Sequence, residues 1–130
     1  MSAERVRRGI LLLTAVVFTA IAIGSLLIPH QMAAQLGYTL DNVDALNEFR
    51  AVYVGVWLAT AVLLVVAARR IEEALLGDLA ALLILGQTFG RLLSMAIDGL
   101  PTARMWPPFV VELIGGVVIL LVRPGMRNNV

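Results

Sequence analysis

The sequence predicts an all-α integral membrane protein, a four-helix bundle with both termini on the cytoplasmic side. Three observations lead there. Hydrophobic residues make up 60% of the 130-residue chain and charged residues 15%, against about 45–50% and about 25% in an ordinary soluble domain. Four long apolar stretches are joined by short polar connections, with no repeat, low-complexity tract or linker to divide them, so residues 1–130 read as one domain. Arginines gather at alternate ends of those stretches. A soluble globule of this size would bury only about two-thirds of its surface and leave much apolar side chain facing water. A bilayer removes that conflict.

The first span, residues 9–28, carries no charge; at 1.5 Å per residue it covers about 30 Å, the thickness of the hydrocarbon core. It follows Arg5, Arg7 and Arg8 and stops at Pro29, whose ring cannot continue a straight helix. A signal peptide shares the basic start, but its apolar region is shorter. The second span, 46–68, ends on Arg69 and Arg70; the third, 75–97, ends at Asp98-Gly99-Leu100-Pro101, a helix stop and turn. The fourth is apolar only from Phe109 to Val122 and has to borrow length from Trp106 and two prolines, giving 107–122, with Trp106 as an interfacial anchor. His30 to Asp44 and Asp98 to Pro107 are then neighbouring loops at one end, and Arg69 to Glu73 is a tight turn at the other.

Seven arginines, Arg5, Arg7, Arg8, Arg69, Arg70, Arg123 and Arg127, fall on the side of the termini and the short turn, against Arg104 alone in the opposite loops. The positive-inside rule therefore places both termini of an inner (plasma) membrane protein in the cytoplasm and the two longer loops outside.

Composition also excludes function classes. Cysteine and lysine are absent, so no disulfide, thiolate metal site, Schiff-base lysine or P-loop lysine exists. A net charge of +1 gives no field for nucleic acid. His30 stands alone, which makes a poor metal site, and Ser25, His30 and Asp41 are the residue types of a hydrolytic triad with nothing to fix their geometry. No metal and no cofactor are expected, and the five methionines are packing residues.

Ionisable residues at membrane depth cost at least a few kcal/mol on insertion scales, so each asks for a partner or a task. Glu48, Arg50, Arg91, Asp98 and Glu112 come from three helices to one layer in the outer half, whereas the cytoplasmic half holds only Asp78. Gln87, Arg91, Ser94 and Asp98 form a polar stripe on the third helix. Glu112 shares a face with Gly116. A uniform 100° per residue divides the second helix: Glu48 sides with the small residues Ala51, Gly55 and Ala59, and Arg50 with Tyr53 and Trp57 on nearly the opposite face. Read structurally, Arg91 pairs with Glu112 or Glu48, Asn47 and Asp98 cap helices, and the set fixes helix register. Read functionally, Asn47, Glu48, Arg50, Gln87, Arg91, Ser94, Asp98 and Glu112 line a pocket open to the outer leaflet.

Asn47-Glu48-Phe49-Arg50-Ala51-Val52-Tyr53 with Gly55, then Gly90-Arg91-Leu92-Leu93-Ser94 running into Asp98-Gly99-Leu100-Pro101, then Glu112-Leu113, resemble the bacterial four-helix membrane proteins of domain-of-unknown-function family 4345. The resemblance covers about residues 10 to 122. Val54 stands where that family commonly has a small residue. The resemblance implies the four-span topology and emphasis on Glu48, Arg50, Arg91, Asp98 and Glu112; it supplies no reaction.

Function then divides three ways. The pocket binds, or also transforms, an amphipathic molecule such as a lipid, isoprenoid or quinone, with Arg91 on an oxygen and Glu48 or Glu112 passing a proton. Alternatively the chain is an accessory subunit, docking another membrane protein through the Ala51-Gly55-Ala59 seam and the Trp57 face. A small transporter comes last, since four helices enclose little pore without homo-oligomerisation and the first span has no charge. Membrane lipids are partners in every case.

Overall fold

The first helix, α1 (Ala3–Leu27), starts well before its apolar stretch and buries Leu11, Ala15, Phe18 and Ala22, one stripe at steps of four and three residues. A computed structural model describes residues 3–124. Arg127 lies outside them. Pro29 does more than stop α1. It opens a second short helix, α2 (Pro29–Gln35), from the first position, where its missing N–H costs nothing and its fixed φ is already helical. The expected His30 to Asp44 loop is therefore partly helix, and Met32 from α2 lies over Gly24 of α1.

The second apolar span begins earlier than the hydropathy suggests. Helix α3 (Val43–Arg50) is capped by Asn42, whose Oδ1 accepts from the Ala45 amide at 2.8 Å. The cap is Asn42 and not Asn47, which lies within the helix and is exposed. A π-helical turn, Ala51–Val56, joins α3 to α4 (Trp57–Arg69) in one continuous rod. After the turn comes α5 (Ala74–Asp98), which ends at Gly99; its φ of +92° is one that a side chain would strain. A single 3-10 turn, Ala103–Met105, leads into α6 (Trp106–Leu121), so the short fourth span does take its extra length from the Trp106 side.

Four helical segments, Ala3–Leu27, Val43–Arg69, Ala74–Asp98 and Ala103–Leu121, are long and apolar enough to cross a membrane. In the bundle α1 lies on α4, α4 on α5 and α5 on α6, while α6 and α1 meet over a short stretch that closes the ring. Among the described residues there is no strand. The core is a column of small and aliphatic side chains, Ala15, Ala61, Leu64, Ala80 and Ile84, topped by Phe18 and Trp57. Large apolar residues such as Leu13, Leu82, Phe89 and Ile114 face outward, as a lipid-facing surface requires.

The end of the bundle holding the N-terminus and the α4–α5 turn is not free of buried charge beyond Asp78. Arg7 is 1% exposed and donates from Nη2 to the Ala74 carbonyl at 3.0 Å. The same nitrogen is 3.9 Å from Asp78, whose other oxygen meets Arg123 at 2.8 Å. Arg8 donates to the Ala68 carbonyl at 3.1 Å, and the two arginines together fasten α1 to the α4–α5 turn.

Candidate functional site

At the opposite end, where α2 and the α5–α6 connection lie, Arg91 of α5 and Glu112 of α6 form a two-bond fork. Nε donates to Oε2 at 2.8 Å and Nη2 to Oε1 at 3.0 Å, with Glu112 buried and Arg91 part-exposed. Two parallel bonds to one carboxylate are the strongest arrangement open to arginine. They occupy one edge of the guanidinium; Nη1 makes no bond to any described residue. Glu112 reaches α5 because Gly116, one turn further along α6, is packed against Leu85, where a Cβ would meet the leucine at 2.5 Å. The small residue sets the close approach and the carboxylate uses it.

Arg91 also borders two adjoining hollows. One, about 560 Å³, lies between the π turn and α5, lined by Tyr53, Trp57, Gln87, Arg91 and Ser94 and roofed by Tyr38, Pro101 and Met105. The other, about 750 Å³, lies under α2 between α1 and α6, bordered by Ser25, Gln31, Arg104 and Pro108. Leu36, Tyr53, Trp57 and Arg91 belong to both, so the two hollows meet at these side chains. The walls are aromatic: Tyr53 stacks on Phe49 at 4.5 Å and tilts against Trp57 at 5.5 Å, and Trp57 meets Phe18 at 4.8 Å.

The eight polar residues singled out in the sequence divide here. Gln87, Arg91 and Ser94 share the first hollow, and Ser94 donates to Asp98 at 3.3 Å on the exposed rim. Glu112 joins them through Arg91. Glu48 does not: it borders a third hollow with Thr39, Ala45 and Phe49, which meets the first at Tyr38, Val52 and Tyr53, and it bonds neither Arg91 nor Glu112. Arg50 and Asn47 are exposed and line none of these hollows. The cause is the π turn, which inserts an extra residue into the helical phase and rotates everything before it. Phe49 thereby turns inward beneath Tyr53, and Arg50, counted on the side of Tyr53 and Trp57, turns out. Uniform periodicity cannot register that shift.

Two further features depart from the sequence expectations. The Trp57 face is filled by the chain itself, a fact legible in the run Trp57, Thr60, Ala61, Leu64, which keeps one face at helical spacing. Ser25 is wholly buried and its hydroxyl has no hydrogen-bond partner among the described residues, whereas Thr14, Thr60 and Thr88 bond back to their own helices. Ser25, His30 and Asp41 share no hydrogen bond, and His30 and Asp41 are exposed. No group of three or more metal-ligating side chains lies together among the described residues.

The model of a family described as a domain of unknown function, DUF4345, matches residues 6–123. The chain belongs to this family. No curated protein and no solved structure matches it. The matched region of this DUF4345 chain includes the Arg91–Glu112 fork, both hollows and the Arg7 clasp, so family membership embraces the candidate site without assigning it a task.

Proposed function

We propose that this DUF4345 protein is a bacterial inner-membrane protein that binds an amphipathic small molecule, of the lipid, isoprenoid or quinone class, in the hollows that meet at Arg91. The observation that carries this is the divided arginine: Arg91 spends one edge of its guanidinium on Glu112, keeps Nη1 free of any described partner, and lines an aromatic-walled cavity. A charge fixed by a partner, with donors left over in an apolar chamber, suits a ligand that brings one polar group and a hydrophobic body. The arginine distribution supports cytoplasmic termini, which opens the cavity to the outer leaflet. Binding is favoured over proton chemistry, because both oxygens of Glu112 are engaged by Arg91 and Glu48 lies in a different hollow.

Native mass spectrometry of gently purified protein tests this. A co-purifying amphiphile held at one per chain, and lost from a folded Arg91→Ala/Glu112→Gln variant, is the expected result. A chain that carries no amphiphile and instead retains a stoichiometric protein would overturn it. That second outcome has its own support in the exposed positions of Ala51, Gly55 and Ala59, small residues suited to close helix packing. Docking would use this seam alone, since Trp57 is buried.

A further inference from the structure

On α1 the hollow beneath α2 is bordered by Ile21 and Ser25, and one turn below lies a second, apolar groove along Ile10, Leu13, Thr14, Val17 and Phe18, which shares no lining residue with it. On α6 Pro108 borders the hollow, and Val111, Glu112 and Gly115 border the groove, one turn on. The same two helices thus border both chambers at neighbouring turns, three and four residues apart, along the α1–α6 seam where the ring is least tightly packed. From Ser25 to Ile10 the slot runs about 22 Å at 1.5 Å per residue, most of the hydrocarbon thickness.

The two ends differ in chemistry. The groove is almost wholly apolar, and Glu112, its one ionisable residue, is turned to Arg91. The upper end gathers Arg91, Arg104, Ser25, Gln31 and Gln35, with no acidic residue along its lining among the described residues. Arg104 spends one nitrogen on the Ala34 carbonyl at 3.2 Å, and Arg91 spends one edge on Glu112. Two arginines against one carboxylate leave a single positive charge. The remaining edge of Arg91 presents two parallel donors, the geometry that suits a pair of acid oxygens. Ser25 supplies the independent sign: a wholly buried hydroxyl without a partner among the described residues is costly unless something else bonds it.

Building on the amphiphile-binding function proposed above, we infer that the ligand carries a singly charged acidic head and one long apolar chain. The head sits among Ser25, Arg91 and Arg104, and the chain lies down the α1–α6 seam past Gly115. The charge balance excludes a second acidic group on the head, and the width of a groove of about 330 Å³ suits one chain and not two.

The test uses the full protein in phosphatidylcholine nanodiscs, with hexadecanoic acid, lysophosphatidylglycerol, hexadecanol and octanoic acid as probes. One of the two long acids binds at one per chain, about tenfold or more tighter than hexadecanol. The two acids distinguish a carboxylate head from a phosphate diester, and either result supports the assignment. Ser25→Ala removes a hydroxyl that no described residue uses, so it leaves the unfolding midpoint in place while weakening the acid about five- to tenfold; Arg104→Gln weakens it likewise. Nothing lies within 4 Å of a Cβ at Gly115, so the side chain of Gly115→Leu starts into open space and extends into the groove. It weakens the long acid and spares octanoic acid. Hexadecanol binding as tightly as both acids, unaffected by Ser25→Ala, would overturn the acidic head and leave amphiphile binding standing. Long-acid binding indifferent to Gly115→Leu would overturn the path of the chain. Retention of no probe by the folded protein would overturn the amphiphile function itself, and this assignment with it.

Discussion

The guanidinium of Arg7 lies against the bare Cα of Gly77, so close that a Cβ at that position would collide with Nη2. Sixty-seven residues separate Arg7 from Ala74, whose carbonyl it bonds, and the glycine one turn into α5 makes room for it. The charge is thus accommodated by shape as much as by pairing, because Asp78 is 3.9 Å away and gives its better contact to Arg123. Arg7 Nε and Nη1 are buried without partners among the described residues, which makes this residue expensive to keep.

A reversal of sign follows for Gly77→Ala. In the native chain the methyl displaces Arg7 from its bond to Ala74 and destabilises by about 1–3 kcal/mol, more than the ~1 kcal/mol that alanine gains over glycine inside a helix. In an Arg7→Ala background the obstruction is gone and the same substitution stabilises by about 1 kcal/mol. Unfolding midpoints in mixed micelles measure both; destabilisation of equal size in the two backgrounds would show that Arg7 is not what Gly77 accommodates.

The Arg91–Glu112 fork allows a similar separation. Arg91→Ala strands a buried carboxylate and costs about 3 kcal/mol, and adding Glu112→Gln recovers much of the loss. Adding Glu48→Gln in its place recovers nothing, since Glu48 borders another hollow. The recovered double variant should be stable and yet retain no amphiphile. If it is stable and retains its ligand in full, the pair only holds α5 to α6.

How much of this could be read beforehand depends on whether a feature is local. The four apolar helices follow from hydropathy and length, and the stripe Gln87, Arg91, Ser94 follows from regular phase along α5, so both are legible in the sequence. Glu112 at the bundle interior follows from its glycine neighbour. Arg7 could not be recognised as buried, because among three arginines ahead of an apolar run it looks like any positive-inside residue, and only Gly77, distant in the chain, makes its pocket. Arg50 and Glu48 were displaced by a change of helical phase that residue spacing does not reveal. The orphan hydroxyl of Ser25 depends on what α2 and α6 fail to offer it, a property of packing and not of α1.

Topology is open to direct measurement in a chain with no native cysteine. Single cysteines at the exposed positions Thr39 and Thr102 are expected to react with a membrane-impermeant maleimide added outside intact cells, and one at Glu72 in the α4–α5 turn only after permeabilisation. Labelling of Glu72→Cys in intact cells would invert the bundle and turn the cavity toward the cytoplasm.

The last prediction concerns the π turn, Ala51–Val56, which contributes Val52, Tyr53 and Val56 to the first hollow. A π turn carries one residue more than the α-helix would, and such insertions recur at functional sites. Deleting Val54 restores α-helical phase, so everything from Val43 to Tyr53 rotates by about 100° relative to Trp57. Tyr53 then leaves the cavity wall together with Phe49, its contact with Trp57 at 5.5 Å is lost, and Arg50 swings toward the interior. The point substitution Val54→Ala keeps the phase and removes only a half-buried side chain. The deletion should therefore abolish amphiphile retention while Val54→Ala preserves it, with helix content by circular dichroism close to native in both. Equal retention by the two variants would mean that the extra residue is a tolerated insertion and that the cavity does not depend on it.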